Sequence, residues 1–85
     1  MDYVLVDVRE PAEYARGHLD GSINVPPSDI MNGAAALKDI PKDANIIVYC
    51  ITGSRSNVSM RFLSDMGYTN VINGINPAHV QAKYL

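Results

Sequence analysis

The sequence predicts an α/β fold around a mainly parallel sheet, and two observations carry that prediction. Short apolar runs rich in β-branched residues alternate along the chain with segments of helical spacing. No two successive runs are joined by the tight two-residue turn of a hairpin. Eighty-five residues imply one domain, spanning 1–85. A domain of this size buries only about 60–65% of its unfolded surface, so its stability margin is thin. An apolar content of 47% and a charged content of 19% are ordinary for a globular chain.

Each element follows in order. Tyr3 to Val6 reads as a buried strand. Past Asp7-Val8-Arg9, Pro11 pre-sets φ for a short helix from Glu10 to Tyr14, closed by Gly17. Leu19 to Ser22 is a turn. Ile23 to Val25 is a second strand, stopped by Pro26-Pro27, which cannot continue a ladder. Ser28 or Asp29 is the expected cap of a helix through Ile30, Met31, Ala34, Ala35 and Leu37. Gly33 weakens it by about 1 kcal/mol relative to Ala. Pro41 to Asp43 is a loop, and Ile46 to Tyr49 is the strand best suited to the sheet centre. A helix starts at Arg55 or Ser56. Val58, Phe62 and Met66 recur at i, i+4, i+8, with Leu63, and predict its buried face. Gly67 ends it with a left-handed cap. Val71-Ile72 is a fourth short strand, Asn73-Gly74 a turn, and Pro77 opens a last helix carrying Val80 and Leu85.

Composition narrows the function. Seven Lys and Arg stand against nine Asp and Glu with no basic stripe, so a nucleic-acid partner is not expected. Apolar runs of a few residues span no membrane. One cysteine permits neither an intramolecular disulfide nor a CxxC pair, and His18 and His79 lie far apart, so no metal cluster or cofactor is expected. Met1-Asp2 leads directly into the first strand without the basic and apolar regions of a leader. The expectation is a cytoplasmic monomer, or a periplasmic one if a leader has been removed.

In parallel sheets ligands bind beyond the carboxyl ends of the strands. Asp7 ends the first strand and Cys50 the third, so the two share one edge. Cys50 opens the loop Ile51-Thr52-Gly53-Ser54-Arg55, which runs into a helix. A helix N-terminus favours the thiolate, the nucleophilic form of cysteine. The loop has no proline to remove an N–H, and Gly53 permits a positive-φ turn that folds those groups into an anion-binding nest. Arg55 adds a planar cation suited to oxyanions. No base stands in the loop. That fits a reaction with little proton transfer, such as transfer of a sulfur atom, better than Cys-His hydrolysis.

Cys50-Ile51-Thr52-Gly53-Ser54-Arg55 resembles the active loop of the rhodaneses, C-x-x-G-x-R, followed by Ser56. Asp7-Val8-Arg9-Glu10, Glu13, Gly17-His18-Leu19, Gly21, Asn24 and Pro26 resemble that family's N-terminal signature. Phe62-Leu63, Gly67-Tyr68 and Asn70-Val71 resemble its later helix and strand. The short form is most similar to small bacterial rhodaneses of the phage-shock and glycerol-operon types. The resemblance implies three layers, α/β/α, around four or five short strands. It also implies a thiosulfate sulfurtransferase working through a Cys50 persulfide, with cyanide, a thiol or a dithiol protein as acceptor. Loop amides would hold the sulfur anion, and Arg55 would bind the donor and order the loop. Related phosphatases and arsenate reductases have one more loop residue, so the shorter loop resembles the sulfur-transfer type. There are two departures. The chain starts almost at the first signature strand, and Asn73-Gly74-Ile75-Asn76-Pro77 stands where the family has Gly-Gly followed by a helix bearing tryptophan. Ile51 and Thr52 are uncharged where some thiosulfate-specific loops carry a second basic residue, which keeps a persulfide carrier serving a protein partner as the alternative.

Plainer roles stand beside these. Cys50 could be a buried structural thiol. Arg55 could simply pair with a carboxylate. Asp7, Arg9 and Glu13 are best read as partners shaping the sheet edge, His18 as a structural hydrogen-bonding group and His79 as solvated. Met60, Met66 and the tyrosines are best read as core or rim.

Overall fold

The computed structural model describes residues 2–85. Four parallel strands, β1 (Val4–Asp7), β2 (Ile23–Asn24), β3 (Asn45–Tyr49) and β4 (Asn70–Ile75), form one sheet in the order β2-β1-β3-β4. Between and after them run α1 (Pro11–Ala15), α2 (Pro27–Met31), a 3₁₀ turn (Ala35–Leu37), α3 (Ser54–Asp65) and α4 (Pro77–Tyr84). Strand alternation divides the core in two. Val6, Val8, Ile46, Val48 and Cys50 point to one face and are covered by Ile30, Leu37, Leu63 and Tyr68. Leu5, Ile47 and Tyr49 point to the other and meet Leu19 and Val80. The result is the three-layer α/β/α arrangement, with four strands.

Several expectations are corrected. The helix expected to run from Ser28 or Asp29 to Leu37 is broken. Pro27 takes its first position and it ends at Met31, because Gly33 and Ala34 both hold positive φ (105° and 50°) before the 3₁₀ turn. α3 starts earlier than either expected position, at Ser54, with Gly53 at φ 93° as its cap. Its buried face is Ser56, Ser59 and Leu63, whereas Val58 and Phe62 are exposed. Small hydroxyl residues, not large apolar ones, let α3 lie close to the sheet.

Asn73 and Gly74 form no turn. They belong to β4, where the register steps from Val48 opposite Asn73 to Tyr49 opposite Ile75 and leaves Gly74 as a bulge. A Cβ on Gly74 would sit 2.5 Å from Val80 and 2.6 Å from Ile47, so glycine is required there by close packing of α4. Pro77 does open α4, and the Asn76 side chain caps it by accepting the His79 N–H at 2.8 Å. Val80 is buried, but Leu85 is exposed, and His79 is half-buried with its ring edge against Tyr84.

Candidate active site

Cys50 follows the alternation of Ile46 and Val48, so its side chain turns toward α3 with no surface open to water. The loop then doubles back. Gly53 at positive φ aims its N–H at Cys50 Sγ, 3.2 Å away, and Ser56 Oγ lies 3.4 Å from the same sulfur. Burial pushes the thiol up. Against it, the Ser56 hydroxyl and the amides of Ser56, Gly53 and Ile51 favour the anion, and together they prevail, so the thiol lies below its ordinary range. The arrangement stabilises a sulfur anion without any neighbouring base.

The other loop residues have separate places. Ile51 is 52% exposed. The Thr52 and Ser54 hydroxyls bond each other at 3.1 Å and are exposed. Arg55 is paired with Glu13 of α1, Nη1 to Oε1 at 2.6 Å and Nη2 to Oε2 at 3.1 Å. Glu13 Oε1 also accepts the Glu10 N–H at 3.0 Å. The Arg55 hydrogen bonds, then the Glu10 N–H, hold the Glu13 carboxyl down at about 2. The same pairing raises Arg55.

Asp7 shares the edge with Cys50 but is committed elsewhere. Fully buried, it accepts the Arg9 N–H at 2.9 Å and the Arg9 guanidinium at 2.6 Å, and Arg9 continues to the Gly17 carbonyl at 2.7 Å. This clamp shapes the edge and leaves no carboxylate for acid–base work. His18 stacks on Tyr14, ring centroids 3.6 Å apart, with Nδ1 2.8 Å from the Tyr14 carbonyl.

Two residues are absent from the sequence-derived site: Ser56, which touches the sulfur, and Asn73, which stands behind Ser56 and Gly53. Ser56 was legible only as the residue after the loop motif. Asn73 was hidden by its turn-like neighbour Gly74; placing it in a strand beside Val71 would have put it on the α3 face. Its side chain bonds Ser56, Gly53 and Ile75. Exposed Val58 forms shallow hollows on α3, one with Phe62, Arg61 and Asp65, another with Pro27, Ser54 and Arg55 beside the loop.

Residues 1–74 match the model of the rhodanese-like domain. A sulfurtransferase of Allochromatium vinosum is 36% identical over 72 residues, covering 85% of this chain and 64% of its own length. The thiosulfate sulfurtransferase PspE of Escherichia coli is 39% identical over 69 residues, covering 80% and 64%. This chain therefore spans under two thirds of the length of each. A solved structure described as a rhodanese with anions from E. coli superposes with a TM-score of 0.80 at 32% identity, covering 92% of this chain and 91% of that one.

Proposed function

This chain belongs to the rhodanese-like family, and from that premise we propose that it is a sulfurtransferase acting through a persulfide on Cys50. The observation that carries the proposal is the sulfur itself, held by the Gly53 amide and beside the Ser56 hydroxyl at the start of α3, with its thiol lowered. The thiolate attacks the outer sulfur of thiosulfate. A new sulfur–sulfur bond forms, the one within thiosulfate breaks, and sulfite leaves with its electron pair. The terminal sulfur of the persulfide carries the negative charge, which loop amides suit. A thiophilic acceptor, cyanide or a thiolate, then attacks that sulfur and returns Cys50 as a thiolate. Because Cys50 is fully buried, donor and acceptor reach the sulfur only when its surroundings open.

Intact mass spectrometry after mixing with thiosulfate tests the proposal. The expected result is a gain of one sulfur atom, lost in Cys50→Ser; no gain, or one that survives the substitution, would sink it. Arg55→Ala is expected to raise KM for thiosulfate about tenfold with Cys50 still alkylatable, the loss of one charge-assisted contact. An unchanged KM returns Arg55 to its structural pairing with Glu13.

A specific observation favours a second reading, a persulfide carrier for a protein acceptor. Arg55 is neutralised by Glu13, and Ile51 and Thr52 carry no charge, so little in the loop attracts a free dianion. Slow turnover of thiosulfate with fast persulfide exchange to a dithiol protein would select it.

A further inference from the structure

Ser56 has one hydroxyl proton and two claimants for it. Its Oγ lies 2.6 Å from Asn73 Oδ1, as donor, and 3.4 Å from Cys50 Sγ. While that proton points to Asn73, the contact with sulfur can only be the thiol donating to Oγ. A thiolate donates nothing, so the anion gains from Ser56 only when the hydroxyl turns away from Asn73.

Asn73 is built to permit this. Its orientation is fixed by two groups with no choice of role. The Ile75 N–H donates to Oδ1 at 3.0 Å, and the Gly53 carbonyl accepts from Nδ2 at 3.1 Å. When Ser56 turns, Oδ1 keeps the Ile75 N–H and is not left unpaired, so release carries no penalty of a buried orphan acceptor. The Gly53 carbonyl also accepts the Asn57 N–H at 2.9 Å, so the first turn of α3 does not depend on Asn73 alone.

We propose that Asn73 is a positioning residue for the nucleophile: it shares the Ser56 proton with Cys50 Sγ and thereby sets how strongly the sulfur is held as an anion. Loss of the thiol proton to solvent and rotation of the Ser56 hydroxyl are coupled. Two hydrogen bonds break, the thiol's to Ser56 Oγ and the Ser56 hydroxyl's to Asn73, and one forms, from the Ser56 hydroxyl to sulfur, while Ser56 keeps its proton throughout. The inference rests on Cys50 being the nucleophile of the proposed reaction.

The test is the pH dependence of Cys50 alkylation by iodoacetamide, which needs no sulfur donor. Asn73→Asp keeps an acceptor on the Ser56 proton and adds a like charge, so the alkylation midpoint is expected to rise by about one pH unit. Asn73→Ala leaves the Ser56 proton no rival to sulfur, so the midpoint is expected to fall. Opposite signs are the signature, because a residue that merely braced the loop would move both variants the same way. Midpoints that are unchanged, or raised in both, overturn the proposal. Should Asn73→Asp not fold, the direction in Asn73→Ala decides alone. A second measurement places Asn73→Ala in a Ser56→Ala background, where its downward shift is expected to vanish; a persisting shift also overturns the proposal. A normal sulfur adduct with unmoved midpoints sinks only the role of Asn73. No adduct with midpoints that move as expected sinks only the sulfurtransferase.

Discussion

Ile75 holds φ at +73°, a region that a side chain branched at Cβ avoids. It stays there because both ends of its backbone are engaged: its N–H donates to Asn73 Oδ1 and its carbonyl accepts the Cys50 N–H at 3.0 Å. The strain is about 1–2 kcal/mol, borne directly beside the nucleophile. Ile75→Ala removes side-chain packing and keeps the strain, whereas Ile75→Gly removes both. The glycine variant is therefore expected to be the more stable of the two by about 1 kcal/mol in urea denaturation, the reverse of the usual order. Equal or inverted stabilities would mean that the backbone relaxes at no cost. Its neighbour Gly74 marks a limit of legibility. The single glycine at Asn73-Gly74 was visible, but its reason lies in Val80 and Ile47 packing above it, and no local pattern reveals that.

Among the elements, α1 buries no residue completely, yet it supplies the carboxylate that holds α3 at the loop. Glu13 is depressed in the folded chain to about 2, so the unfolded chain binds its proton more readily. The pair therefore stabilises fully above the ordinary carboxylate range, and its contribution fades as pH falls from about 4.5 toward 2. Urea midpoints of the protein and of Glu13→Gln are expected to differ near neutrality and to converge by the acid end of that window. A difference constant with pH would place the effect outside this ion pair. The partners are 42 positions apart, and both were legible singly, Glu13 in the N-terminal signature and Arg55 in the loop. Their pairing was not, because spacing says nothing about which helix ends meet. The face of α3 was misread for a different reason. Val58 and Phe62 follow helical spacing but lie outward, while the buried contacts come from Leu63, as expected, and from Ser56 and Ser59, whose size suits close approach.

Across the molecule, alternation of short apolar runs with helices was enough to predict a parallel sheet, and the placement of Cys50 at its carboxyl edge followed from strand three ending there. The loop around the sulfur was legible because it is local. What surrounds it comes from the far end of the chain: Ile75 holds the Cys50 N–H, and Asn73 holds Ser56 and Gly53. That dependence has a consequence during synthesis. The 25 residues from Cys50 to Ile75 take about one to five seconds to add at ribosomal rates. Until β4 docks, the loop around the thiol lacks those contacts, which leaves the sulfur open to oxidants. In refolding from urea, the loss of Cys50 labelling by short pulses of alkylating reagent is expected to track the docking of β4. Labelling that stops well before that step would show the loop closing by itself. The chain thus guards its most reactive atom last, and a slow or stalled ribosome lengthens the time in which it can be oxidised.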